Sequence, residues 1–164
     1  MKKILLLLFT IYYLLFTPSY SMQLEGGVKY NVDSAREYVQ ERQLNNIQVT
    51  GPFTLQAGNV ERVVYSKNPL GEIIAMTVLY KGTPDKTYIY DKNKKLIYTE
   101  NYDKPVNIYP HRGYRYDLDG KLVLTSLTVS KDEMFRFTPD GKLLAYSING
   151  IIYDEKGNII GKAK

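Results

Sequence analysis

Tyr114-Arg115-Tyr116-Asp117-Leu118-Asp119-Gly120-Lys121-Leu122 is the stretch that decides the fold class of this chain. Aromatics at i and i+2 share one face of a strand, because side chains alternate across a pleated backbone. Asp117 then opens a four-residue turn, and Gly120 stands where a type I turn with a following bulge requires positive φ. The same device recurs from Tyr88 to Leu96, from Phe135 to Leu143 and from Ile151 to Ile159. Its clearest turn is Thr138-Pro139-Asp140-Gly141, where Pro139 presets φ, Asp140 suits the next position and Gly141 accepts the left-handed conformation. Asp154 and Gly157 hold the corresponding places in the last copy, while Lys94 replaces the glycine in the first and is expected to be mildly strained there. A looser fifth copy, Val63-Val64-Tyr65 followed by Leu70-Gly71-Glu72-Ile73, precedes these. The steps from Tyr65 to Tyr90, Tyr116, Phe137 and Tyr153 are 25, 26, 21 and 16 residues. Intervals so unequal argue against a solenoid of identical coils.

Working outward, alternation and clusters of Gly, Pro, Asn and Asp continue from Ile47 to the C-terminus, which predicts many short antiparallel strands. They are expected near 61–66, 72–80, 87–90, 95–100, 106–111, 113–116, 121–129, 133–138, 142–148 and 151–153. Their order implies a mainly β chain: an antiparallel β-meander of repeated hairpins in a single curved or twisted sheet, left open or partly closed. One short N-terminal helix precedes it. Ser34-Ala35-Arg36-Glu37 has capping-box spacing, so this helix is expected to start at Ser34 and to end near Asn45-Asn46. Ala35, Tyr38 and Val39 fall on one face. That face is expected to cover one end of the sheet; a partner-binding helix is the alternative.

Met1-Lys2-Lys3, the uncharged run from Ile4 to Phe16, and Thr17-Pro18-Ser19-Tyr20-Ser21 read as a secretory signal peptide. A membrane-spanning helix needs about 20 apolar residues, and Pro18 ends this run too early. Cleavage after Ser21 is expected, with retention as an uncleaved anchor the alternative. The chain therefore divides into a signal peptide at 1–21, a lead and short amphipathic helix at 22–46, and a β-hairpin repeat domain at 47–164. The destination is the periplasm or the cell exterior, and membrane contact is expected only through the signal peptide before cleavage.

The repeats resemble two families. Aromatic-x-Tyr-Asp-x-x-Gly-Lys-Leu with a 21-residue step between Tyr116 and Phe137 is similar to the YD repeats of bacterial Rhs-type wall and toxin-shell proteins. Tyrosine-rich hairpins with Gly-Lys turns in a small exported chain also resemble the MORN-variant repeats of YwqK-like proteins, which are often labelled antitoxin components. Either resemblance covers roughly residues 60 to 160. The chain has too few copies for a toxin-enclosing shell and too irregular a period for the second family. Both resemblances imply a non-enzymatic β-repeat scaffold that contacts something, and neither passes on catalytic residues.

Composition narrows the chemistry. The 164 residues carry no Cys, no Trp, one His and 16 Tyr, with a net charge of +5. Disulfides, thiol catalysis and cysteine-held metals are excluded, as is any site needing two imidazoles. Basic residues interleave with acids, as in Lys131-Asp132-Glu133, so no stripe follows a phosphate backbone and nucleic acid is not an expected partner. Asp117-Leu118-Asp119-Gly120 hints at a calcium loop, but the twelfth position from Asp117 is Thr128 rather than Glu, and the turn explains the same residues. No metal or cofactor is expected.

His111 falls in a loop between expected strands and reads as an exposed histidine, with no Gly-x-Ser-x-Gly elbow to make it a base. The repeat aromatics are expected to form a core ladder through cross-strand pairs. Tyr98, Tyr102, Tyr109 and Tyr146 lie near turns or outside the repeat register and, with His111, are the expected binding residues. Three functions compete. The first is an exported interaction module holding a protein partner, with a YwqK-like antitoxin or immunity role as a sub-case. The second is a cell-wall or glycan binder using the same aromatics, and the third a small hydrolase built on His111. Tyrosine without tryptophan shifts weight from the second to the first, and the missing catalytic set disfavours the third.

Overall fold

The computed structural model describes residues 22–23, 29–41, 46–68 and 70–163. The expected signal peptide lies outside them. Two short antiparallel strands, β1 (Met22–Gln23) and β2 (Lys29–Tyr30), precede α1 (Val32–Gln40). Ten strands follow: β3 (Val60–Lys67), β4 (Ile73–Tyr80), β5 (Lys86–Tyr90), β6 (Leu96–Tyr102), β7 (His111–Tyr116), β8 (Leu122–Ser130), β9 (Glu133–Phe137), β10 (Leu143–Ile148), β11 (Ile151–Asp154) and β12 (Ile159–Ala163). Each pairs antiparallel with the next in chain order. The sheet closes completely: Lys162 and Ala163 of β12 pair with Lys67 and Ser66 of β3, making a ten-strand meander barrel with no free edge.

Several expectations need correction. The chain at 106–111 forms no strand. It belongs to an irregular connection in which Val106 donates its backbone NH to the Pro84 carbonyl, and the next strand begins only at His111. The closing strand over Ile159–Ala163 lacked the alternation that marks the others. The helix starts earlier than the Ser34-Glu37 spacing implied. Asn31 is its N-cap, its side chain accepting from the Ser34 NH at 2.8 Å while Ser34 Oγ accepts the Asn31 NH at 2.9 Å. It ends at Gln40, and most of the stretch toward the expected end lies outside the described residues.

Closure gives the repeat a meaning that the sequence left open. The aromatic pair of each repeat faces outward, and the residue between them faces the lumen. Phe135 pairs with Leu127 and Tyr146 on the outer wall, whereas Arg136 pairs with Ser126 on the inner one. An apolar outer wall must be covered. The helix, expected over one end of the sheet, instead lies across the outer face of β7 to β10, where Ala35 and Val39 pack with Tyr114, Tyr116, Leu127, Val129, Phe135, Phe137 and Tyr146. The stretch after it, expected to belong to the repeat domain, contributes no barrel strand before Val60. Its Val49 and Leu55 cover Met76, Val78, Tyr80, Tyr88, Tyr90 and Leu96 on β4 to β6. Each large apolar side chain buried in this way contributes about 1.5–3 kcal/mol, so both large apolar clusters stabilise the barrel from outside its wall.

Polar groups fasten the cover. The Tyr90 hydroxyl donates to the Pro52 carbonyl at 2.8 Å and lies 2.9 Å from the Tyr80 hydroxyl, which accepts the Gln56 NH at 3.1 Å. Arg112, on the outer side of β7, places its guanidinium 3.9 Å from the Tyr38 ring centroid, donates to the Tyr38 carbonyl at 2.7 Å and pairs with Glu41 at 2.5 Å. A cation at the C-terminal end of a helix is favourable for the helix dipole as well.

One repeat step comprises two strands, so every repeat turn falls on the same rim. In these turns Asp117 accepts from the NH groups of Asp119 and Lys121 at 3.0 and 2.9 Å, and Asp154 from those of Lys156 and Asn158 at 2.9 and 2.8 Å. Thr138 does the same for Lys142 at 2.9 Å, with Pro139 and Asp140 exposed at the tip. Lys94 carries φ of +64°, in the place where Gly120 has +78° and Gly141 +86°. The turns also hold the cover: Gly141 accepts from Arg36 Nε at 2.6 Å, Gly120 from the Ile47 NH at 3.0 Å, and Lys94 from the Leu55 NH at 3.1 Å. A Cβ on Gly120 would run into the Ile47 carbonyl, whereas one on Gly157 would meet only the Tyr146 hydroxyl at 3.8 Å.

These two positions separate backbone strain from the docking of the cover. Gly157→Ala should lose about 1–2 kcal/mol, the usual penalty for a side chain in the left-handed region, and Gly120→Ala should lose at least about 1 kcal/mol more because Ile47 must move. Lys94→Gly should be near neutral or stabilising. Urea denaturation of the three variants checks this; equal losses at Gly120 and Gly157 would refute the docking role of the Gly120 turn.

Candidate functional site

The barrel interior mixes charged and apolar side chains. Its inner face carries a cavity of about 240 Å³ whose lining is drawn from β3 to β11 and from connections at the rim opposite the repeat turns. Depth follows from the strand register. Lys131 and Asp132 of the β8–β9 connection and Glu133 at the start of β9 stand at the mouth with Tyr109 and Arg62. His111 and Thr128 pair in one layer; Tyr102, Gly113, Ser126 and Arg136 line up across the next; and Glu100 lies between Thr87 and Arg115 in a third.

Glu100 is the centre of the polar set. Its side chain is buried and accepts from Arg115 Nη2 at 2.7 Å, from Arg115 Nε at 3.1 Å and from the Ser126 hydroxyl at 3.1 Å. Burial by itself would raise this carboxyl, but Arg115, Arg136 and the Ser126 hydroxyl together outweigh it and hold it below the usual carboxylate range. Gly113 sits against this group, for a Cβ there would run into the Ser126 hydroxyl. Arg136 is different. Its Nε is shut off from solvent with no hydrogen-bond partner, and no ion pair forms between Arg136 and any described residue. Burial and the neighbouring Arg115 guanidinium push it below arginine's ordinary value, with Glu100 pulling it back.

The upper part of the cavity is aromatic. His111 packs edge-on to Tyr102 with centroids 5.1 Å apart and stacks on Tyr109 at 5.5 Å. Its Nδ1 lies 3.0 Å from the Ile108 carbonyl, which can only accept, so in the neutral ring the proton is on Nδ1 and Nε2 keeps its lone pair. Burial lowers its pKa from the ordinary value. The Tyr102 hydroxyl is 3.0 Å from Thr87 Oγ1, and burial keeps it protonated.

The expected binding residues divide accordingly. Tyr102, Tyr109 and His111 come together at the cavity, although His111, expected in an exposed loop, is buried at the start of β7. Tyr109 is exposed and Tyr102 only partly so. Tyr98 is half-buried on the lumen side below Glu100, with the Arg115 guanidinium 5.9 Å from its ring centroid. Tyr146, expected to be exposed, is buried on the outer wall and stacks on Tyr153 at 5.1 Å. Reading the sequence missed Glu100, Arg115, Arg136 and Ser126. A signal was there: Tyr114-Arg115-Tyr116 and Phe135-Arg136-Phe137 place arginine in the same slot of successive copies, on the face opposite the aromatics.

Among the described residues no group of three or more His, Asp or Glu side chains is placed to hold a metal ion. Comparison of this chain with protein-family models, with curated proteins and with solved structures finds no match.

Removing one partner of a buried ion pair strands the other charge. Glu100→Gln should therefore lower stability by about 3–5 kcal/mol near neutral pH. Because the folded carboxyl titrates below its ordinary 4.5, the ionised group stabilises the fold in full above that pH. This advantage disappears as pH falls through the folded value. Denaturation of both proteins across the acid range should show their stabilities converging on acidification, and a constant gap would refute the pairing.

Proposed function

We propose that this protein is an exported, non-enzymatic binding barrel that takes a small molecule into its lumen through the rim formed by Tyr109, His111 and the Lys131–Glu133 connection. The observation that carries this reading is the cavity itself, about 240 Å³ in volume and holding Glu100, Arg115 and Arg136 among apolar side chains. The fold does not need it: the apolar clusters lie outside the wall, and burying charge stabilises less than packing Leu or Val in the same space. Pockets that bind small molecules combine apolar walls with a few convergent polar groups, as this one does with Val64, Leu79 and Met134 beside its charges.

A second reading, the protein-binding module expected from the sequence, rests on a different surface from the tyrosines first chosen for it. Where β12 meets β3 and β4, the barrel exposes Tyr65, Leu70, Ile73, Ile74, Ile159 and Ile160. An apolar patch of this kind is a recognition surface when rimmed by polar residues. The YD-like and YwqK-like resemblances accord with this reading.

Two measurements decide between them. The chain has no native cysteine, so a single Thr128→Cys substitution reports on the lumen alone; it should react with a small charged thiol reagent, and adding a tryptophan at the mouth through Lys131→Trp should slow the reaction at least tenfold. Amide resonances of the exported protein, titrated with the low-molecular-mass fraction of an envelope extract, should shift at His111, Ser126 and Thr128. Shifts confined to Tyr65, Ile73 and Ile160, with Thr128→Cys inert, would overturn the lumen reading in favour of the outer patch.

A further inference from the structure

We propose that the lumen's ligand is a small monocarboxylate with an apolar body, its carboxylate held by Arg136. This rests on the lumen reading and names the chemistry that the lumen selects. The argument is one of charge. Glu100 is committed to Arg115 through two hydrogen bonds and accepts a third from Ser126. Arg136, in the same inner-face layer beside Ser126, makes no ion pair with any described residue, and its buried Nε has no hydrogen-bond partner. One carboxylate thus faces two guanidiniums, and the deep lumen keeps one positive charge unanswered. A buried cation without a partner is costly, and a planar guanidinium is the group best suited to grip a carboxylate with two parallel hydrogen bonds.

The surroundings restrict the class further. Glu100 beside the guanidiniums, and Asp132 and Glu133 at the mouth, oppose a second negative charge, so multiply charged phosphates and dicarboxylates are disfavoured. Arg62 and Lys131 share the mouth and keep it from repelling a monoanion. Between mouth and floor the wall includes Val64, Leu79, Val106, Met134 and Ile152, which suit an apolar body rather than a sugar. A volume of about 240 Å³ is below the range of drug-sized pockets, so the body is short. His111, with its bare Nε2, offers an acceptor to a hydroxyl or amide on that body and no positive charge to compete with Arg136 for the head.

The test uses hexanoate, benzoate, hexanamide, hexanol and succinate as probes of the exported protein, read by calorimetry and by amide shifts at Ser126 and Thr128. Hexanoate should bind at least tenfold more tightly than hexanamide or succinate. Arg136→Gln should abolish that preference while still admitting the amide, and Arg136→Lys should restore part of it. Independently of any ligand, Arg136→Met should raise the melting temperature by several degrees, since it removes an uncompensated buried charge and leaves the Glu100–Arg115 pair intact. Equal affinity of hexanoate and hexanamide would overturn the carboxylate assignment and leave the lumen reading standing. A marked fall in melting temperature for Arg136→Met would show Arg136 to be a structural counter-charge and would also overturn the assignment. If no probe moves Ser126 or Thr128 and Thr128→Cys is unreactive, the lumen reading itself fails.

Discussion

The two-residue period of a closed strand is the constraint on which the rest of this molecule depends. Closure by the β12–β3 pairing gives every strand an inside and an outside. Successive side chains must go to opposite sides, so a repeat that puts aromatics at i and i+2 commits its central residue to the other face. Here the aromatics go out and the intervening residues go in. That choice creates two dependent problems, an apolar exterior that needs covering and an interior free to be polar. The helix and the stretch that follows it address the first. The Glu100–Arg115–Ser126 network occupies the second.

The cover gives two of the wall's tyrosines, Tyr80 and Tyr90, a use for their hydroxyls. A phenylalanine ladder would bury equal area, but the covering segment is largely irregular backbone and brings unpaired NH and carbonyl groups against the wall. Hydroxyls of Tyr80 and Tyr90 pair with Gln56 and Pro52 of that segment. Under the helix both kinds of ring occur, Phe135 and Phe137 beside Tyr114, Tyr116 and Tyr146. The rim turns complete the fastening, since the carbonyls at Lys94, Gly120 and Gly141 point to the segment instead of to solvent. The repeated turn is therefore a hairpin device and an anchor at once, and its glycine at 120 is required by both positive φ and the closeness of Ile47.

What could be read in the sequence follows from the range of the interactions involved. Turns such as Thr138-Pro139-Asp140-Gly141 and strands such as 133–138 depend on neighbours within a few residues and were legible. Closure was not, because Lys162 finds Lys67 across most of the chain and neither residue carries a mark of its partner. Val106 and Ile108 look like a strand by composition, yet the chain there is taken up by the bonds of Val106 to Pro84 and of the Ile108 NH to Pro105. The burial of His111 and Tyr146 was hidden for the same reason: exposure is set by what packs from elsewhere, and Tyr146 lies under the helix-side cluster. The lumen set was half visible. Arg115 and Arg136 share a slot in the repeat, but Glu100 has no equivalent in it, and only register places Glu100 opposite Arg115.

This division of labour also bears on how the charge of the lumen can vary. Stability resides on the outer wall, in the aromatic positions and their cover, while the slot between the aromatics reads Ile89, Arg115, Arg136 and Ile152 in four successive copies. The outer face is the same in kind each time; the inner one is apolar twice and cationic twice. Residues separated by the thickness of a sheet contribute nearly independently, so substitutions at these inner positions can alter the lumen's charge without disturbing the packing that keeps the barrel closed. The molecule thus places its most repetitive feature where uniformity is needed for folding, and its least repetitive feature on the wall that faces the lumen.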